Sequence, residues 1–258
     1  MVNNTMPEFI IFHQPKTAGT YAHRVLPKGY TLGHHRNYHF CKNNGLISNE
    51  QKVCIVREPL DYYISLITFW CLDPKYAQIK ESHAKPLDPN EGHINRYISE
   101  KHSLSGDLGL VKILGNMFDN KFLLQHANVL SRQHHTYDYH VFKELTRLKI
   151  GYYTFGFLDQ FGSKKITDLK SNDEVCEELE WIKNNYHILH QKNISEELKA
   201  LCVQHGVPFN GPKSVKKVEA SEKPQKSNRK PVDCYEIPAA LKMEIYEKDK
   251  FMYKIFGL

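Results

Sequence analysis

Residues Phe9 to Tyr21 read FIIFHQPKTAGTY, and this stretch limits the fold more than any other. The apolar run Phe9-Ile10-Ile11-Phe12 is short and shows no alternation, so it suits a strand covered on both faces. A buried parallel strand is expected over Glu8 to His13, bounded by Pro15. A helix then starts near Gly19 or Thr20 and runs through Tyr21, Ala22 and Val25 to Pro27. The same unit recurs. Lys52 to Val56 is the next strand, and Pro59 opens a helix in its first turn. Its apolar residues Leu60, Tyr63, Ile64, Ile67 and Cys71 recur at helical spacing. Strands alternating with helices predict an α/β fold whose central, mainly parallel sheet is flanked by helices on both faces.

Further along, Asp73 to Gly92 is Pro-rich and polar, the composition of an irregular loop. Weaker helical patterns occupy His93 to Ala127. A third strand is expected at Ile150 to Phe157, and acidic helical material from Asn172 to Asn184. Gly211 to Pro231 is poor in apolar residues and carries Lys213, Lys216, Lys217, Lys223, Lys226, Arg229 and Lys230 against Glu219 and Glu222. It is expected to be a mobile basic surface loop. A final helix begins at Pro238 and presents Leu241, Ile245, Met252 and Ile255 on one side.

The 258 residues, 41% hydrophobic and 12% aromatic, can bury one sizeable core, so a single domain over 1–258 is expected. No apolar run reaches the roughly 18 residues of a membrane span. Met1 to Glu8 lacks the features of a signal peptide. As given, the chain is expected to be soluble and cytoplasmic. Its six cysteines form no C-x-x-C pair, so free thiols are expected. A net charge of +6 points to an anionic partner: a nucleotide, an acidic glycan or nucleic acid.

The turn after the first strand has the parts of an anion cradle. A helix start offers unpaired N–H groups, Lys16 adds a point charge, Thr17 and Thr20 add hydroxyls, and Gly19 allows close backbone approach. It is not a Walker loop, because Lys16 precedes Gly19 and position 15 is proline. An ordinary turn with a surface lysine is the plain alternative. Arg57 stands at the carboxyl end of the second strand, where ligands of open α/β sheets gather, and a guanidinium there can grip a phosphate with two parallel bonds. Ser65, eight residues on, lies on the helix face away from Leu60, Ile64 and Ile67. The plain alternative pairs Arg57 with Glu58 or Asp61 and leaves Ser65 solvated.

Together, these two motifs resemble those of the sulfotransferases that use 3′-phosphoadenosine 5′-phosphosulfate (PAPS), in particular the carbohydrate branch. His13-Gln14-Pro15-Lys16-Thr17-Ala18-Gly19-Thr20 is similar to that family's 5′-phosphosulfate loop. Arg57-Glu58-Pro59, with serine at the eighth position, is similar to its 3′-phosphate motif. Ile237 to Leu258 is similar to its closing helix. The resemblance implies a P-loop-like three-layer fold, PAPS as donor with 3′,5′-ADP as product, and a hydroxyl acceptor that is a glycan. Metal and nucleic acid are not implied. Pro15, Lys16, Thr17, Ala18, Gly19, Thr20 and Tyr21 would hold the 5′-phosphosulfate, and Arg57 and Ser65 the 3′-phosphate. Arg229 and Lys230 lie in a segment similar to the loop that closes over the nucleotide. Gly156-Phe157-Leu158-Asp159 loosely resembles a strand-end segment of the family and takes no role.

Sulfuryl transfer needs a base for the acceptor proton and a cation for the leaving oxygen. Lys16 is the expected cation. In the uronyl 2-O branch a Gly-His pair between the two motifs carries the catalytic histidine, and Gly33-His34 matches it, with His35 in reserve. Glu58 is the carboxylate alternative, expected to pair with Arg57 and so to be held weakly basic. A zinc site from His34, His35, His39 and Cys41 lacks a second ligand pair of suitable spacing. Two rival functions stand beside this reading. A nucleotide-dependent kinase or NTPase would need a Walker loop. A non-catalytic binder of acidic glycan or nucleic acid would rest on the basic 211–231 stretch, which carries no zinc-finger or RNA-recognition signature.

Overall fold

The computed structural model describes residues 7–14, 17–32, 37–47, 51–71, 114–115, 146–210 and 236–258. Three strands, β1 (Phe9–Phe12), β2 (Gln51–Val56) and β3 (His187–His190), form a parallel sheet in the order β1-β2-β3. Phe12 stands opposite Cys54, and Val56 opposite His190. A short parallel segment runs along the outer side of β1: the Ile11 N–H donates to the Tyr30 carbonyl at 2.8 Å, and the Leu32 N–H donates to the Ile11 carbonyl at 3.0 Å.

The helices among the described residues are α1 (Gly19–Val25), α2 (Tyr38–Asn43), α3 (Pro59–Cys71), α4 (Tyr152–Phe161), α5 (Asn172–Asn185), α6 (Ile194–Gln204) and α7 (Ala239–Phe256). Side chains alternate across a strand, and that alternation sorts the core into two clusters. Phe9, Ile11, Val53, Ile55 and Leu189 pack with Ala22 and Val25 of α1 and Leu198, Leu201 and Cys202 of α6. Ile10, Phe12, Cys54 and Val56 pack on the other face with Cys41 of α2 and with α3, α4, α5 and α7. The fold is therefore α/β, with helices covering both faces of a small parallel sheet. Each fully buried side chain of this size contributes about 1.5–3 kcal/mol.

Local chemistry sets the helix ends. Pro59 takes the first position of α3, where its missing N–H costs nothing, and the Glu58 carboxylate accepts the Asp61 N–H at 2.6 Å. Ser171 caps α5 by accepting the Glu174 N–H at 3.2 Å, with Asp173 and Glu174 in the first turn complementing the helix dipole. Gly257 closes α7 with φ 67°, a conformation that glycine adopts without a Cβ penalty.

Two elements differ from expectation. Ile150 to Phe157 is not a strand, because residues 152–161 form helix α4. Apart from Asp159, all of its side chains are buried. A helix enclosed on every side reads as an unbroken apolar run, as a buried strand does. Gly151 caps it, and its setting between α3, α5 and α7 decides the outcome. Gly156-Phe157-Leu158-Asp159 consequently sits inside a helix rather than at a strand end. The sheet's third strand is instead β3, whose sequence HILH has two histidines and a single buried residue, Leu189. Pairing with β2 makes it a strand. The expected loops at 73–92 and 211–231, and all of the 93–127 stretch except residues 114–115, lie outside the described residues. Among the described residues no helix is long and apolar enough to cross a membrane.

Candidate functional site

The chain leaves β1 through His13 and Gln14 and enters α1 at Gly19. Thr17 is fully buried, and its hydroxyl and N–H both donate to the Gln14 carbonyl, at 2.8 and 3.3 Å. That closes the loop into a tight turn. Ala18, the residue before α1, has φ 63° and ψ 17°. Left-handed backbone costs a non-glycine residue roughly 1–2 kcal/mol. It turns the chain sharply from the Thr17 turn into the first residue of α1, Gly19. Among the described residues no side chain caps α1, and the N–H groups of a helix's first turn have no partner within the helix. α1 has only 7 residues, so its contribution is these local donors rather than a large dipole. Gly19 is required by close approach: a Cβ there would stand 2.0 Å from Nδ1 of the His13 ring. Thr20 is exposed at the first turn and Tyr21 half-buried, the latter donating its hydroxyl to Ser195 at 2.9 Å. Pro15 and Lys16 lie outside the described residues.

Arg57 directly follows β2, and its N–H donates to the Tyr153 hydroxyl at 2.8 Å. Burial pulls the guanidinium below its ordinary pKa, opposed first by the charge of Asp61 and then by Tyr153 and Glu58. A guanidinium starting above 12 stays charged at any working pH. Glu58 takes its hydrogen bonds from the Asp61 N–H and from the Tyr253 hydroxyl. Ser65 is half-buried on α3, two turns beyond Arg57.

Adjacent parallel strands deliver both connections to the same carboxyl edge of the sheet. Side chains link them there. Gln14, 1% exposed, donates Nε2 to the Tyr62 hydroxyl at 3.2 Å. The Tyr62 ring packs on the Tyr153 ring at 4.3 Å between centroids, and Tyr153 holds the Arg57 N–H. The turn after β1 and the arginine after β2 thus share one support. Sequence reasoning did not single out this support as functional. Tyr62 and Tyr63 carry no motif signal, and Tyr153 lies 96 residues from Arg57 along the chain.

Leu32 ends the segment beside β1, running in the same direction as that strand. His34, two residues further, and His35 lie outside the described residues, as do Arg229 and Lys230. Of the remaining zinc candidates, Cys41 sinks into the core, while His39 lines a cavity of about 190 Å³ with Asn37, Asp159, Lys164, Lys165 and Thr167. That cavity shares no residue with the two connections. Burial pushes the Asp159 carboxyl there up to about 7. Among the described residues no group of three or more His, Cys, Asp or Glu side chains is placed to hold a metal. In comparisons with protein-family models, curated proteins and solved structures, nothing matched this chain.

Proposed function

We propose that this chain is a PAPS-dependent sulfotransferase with a P-loop-like fold, acting on a hydroxyl of a carbohydrate. One observation carries the reading. The two motifs that resemble the family's phosphate loops follow neighbouring parallel strands, β1 and β2, and are braced against each other through Gln14, Tyr62 and Tyr153. A nucleotide with phosphates at both ends of its ribose needs two such anion sites at one sheet edge. The residues suit such a ligand: left-handed Ala18 turns the backbone into α1, Gly19 lets that turn pack closely against the His13 ring, and Arg57 supplies a cation at the end of β2.

In this reading Lys16 and the N–H groups from Gly19 onward hold the 5′-phosphosulfate, while Arg57 and Ser65 hold the 3′-phosphate. Arg229 and Lys230 close over the nucleotide. His34 takes the proton from the acceptor hydroxyl. The acceptor oxygen forms its bond to sulfur as the bond from sulfur to the phosphate oxygen breaks. The electron pair leaves with that oxygen, where Lys16 stabilises the growing charge.

The test is transfer of labelled sulfate from PAPS to a panel of glycans. Lys16→Ala is expected to lower turnover by at least about tenfold, equivalent to about 1.4 kcal/mol, with a smaller loss of 3′,5′-ADP affinity. His34→Ala is expected to remove the rising limb of the pH–rate profile in the histidine range and to leave 3′,5′-ADP affinity nearly intact. Near-wild-type turnover in both folded variants, or no transfer to any acceptor by the intact chain, counts against the reading.

A further inference from the structure

Asp249 interrupts α7, with φ −109° and ψ 18° in the middle of an 18-residue helix. Its carboxylate is fully buried, a state that is costly unless every oxygen is hydrogen-bonded. Oδ2 accepts from the Tyr63 hydroxyl at 2.7 Å, and Oδ1 accepts from the N–H and the hydroxyl of Thr154, at 2.9 and 2.6 Å. Room for the carboxylate comes from Gly151, where a Cβ would stand 2.2 Å from Oδ2. The helices α3, α4 and α7 meet on this one group.

The network does not end in the core. While donating to Asp249, the Tyr63 hydroxyl accepts the Tyr153 N–H at 3.0 Å. The Tyr153 hydroxyl accepts the Arg57 N–H at 2.8 Å. Burial pushes both hydroxyls well above the ordinary tyrosine range, so both stay protonated, and the Tyr63 hydroxyl keeps its bond to Asp249. One turn past Asp249, Tyr253 donates to Glu58. Residues 57 and 58 are therefore tied to the C-terminal helix through the backbone of one and the carboxylate of the other. Apolar side chains of equal volume would join three helices at less cost than a buried carboxylate. What the carboxylate adds is a fixed relative geometry.

We propose that Asp249 is a positioning residue for Arg57: through Tyr63 and Tyr153 it fixes the backbone from which the guanidinium projects, and so sets the grip on the 3′-phosphate. This rests on the reading of Arg57 as the 3′-phosphate ligand. Asp249→Asn preserves shape but replaces one acceptor oxygen by an NH₂ group, which must face either the Tyr63 hydroxyl or the two Thr154 donors. Tyr153→Phe deletes only the hydroxyl that receives the Arg57 N–H.

The experiment is calorimetric titration of the full chain with 3′,5′-ADP and with 5′-AMP, read as the ratio of affinities, which does not depend on the fraction of protein that is folded. Asp249→Asn and Tyr153→Phe are each expected to lower the ratio by about tenfold, equivalent to about 1.4 kcal/mol, chiefly through 3′,5′-ADP. Ser171→Ala, which removes the N-cap of α5 and none of the network's hydrogen bonds, is expected to leave the ratio unchanged. If Asp249→Asn does not fold, the folded Tyr153→Phe protein decides. A wild-type ratio retained in the folded variants, or equal losses for both nucleotides, overturns the positioning role while wild-type preference for 3′,5′-ADP upholds the underlying reading. Absence of that preference in the wild type overturns both.

Discussion

Asp159 shows how a single residue can couple the fold to pH. Burial lifts its carboxyl from an ordinary 3.8 to about 7, so between roughly pH 4 and 7 the folded chain holds a proton that the unfolded chain has shed. The stability from that proton is complete below pH 4, declines as pH rises through the window, and is gone above 7. Asp159→Asn should match the wild type near pH 4 and exceed it at pH 8, by on the order of 4 kcal/mol, since the proton affinity rises by about three factors of ten and each is worth about 1.4 kcal/mol. Thermal unfolding across pH 4–8 measures this. Asp249, raised by burial to about 6 against the bonds from Thr154 and Tyr63, titrates in the same window, so the variant should lose part of the pH dependence and not all of it. A Tm at pH 8 no higher than that of the wild type would show that the Asp159 carboxylate is not strained by burial.

At the scale of elements, sequence periodicity located what is amphipathic or punctuated. β1 and β2 are apolar runs followed by turns, α3 begins at a proline, α5 is an acidic stretch with helical pattern, and α7 carries its apolar residues on one side. These signals lie within a few residues of each other. α4 and β3 were illegible because their identity depends on partners distant along the chain. α4 is buried on all sides and so has no stripe, and β3 needs β2 to be a strand at all. The junction of α4 with α7 is equally hidden, since Thr154 and Asp249 lie 95 residues apart. Gly151 makes room for that junction. Gly151→Ala puts a Cβ 2.2 Å from the Asp249 carboxylate, and overpacking of a filled interior costs about 1–3 kcal/mol. A loss of about 2 kcal/mol, seen as a Tm lower by about 4–8 °C, is the expected outcome. An unchanged Tm would mean that α7 can shift away from α4, and that Asp249 does not fix their relation.

For the whole molecule, the sheet converts two separate sequence motifs into one edge. The motifs were legible as chemistry: a lysine and glycine turn after one strand, an arginine after the next. Their adjacency was not, because it depends on β1 and β2 pairing directly, and neither was the bracing of Gln14, Tyr62 and Tyr153 that joins them. The central claim is that this edge binds a nucleotide carrying a 3′-phosphate, with Arg57 as the ligand of that phosphate. Titration with 3′,5′-ADP and 5′-AMP tests it most directly. Wild type should bind 3′,5′-ADP much more tightly, and Arg57→Ala should remove most of that preference, a charged hydrogen-bonding pair being worth about 1.5–3 kcal/mol. Equal affinity of the wild-type chain for the two nucleotides, or a preference that survives Arg57→Ala, would contradict it.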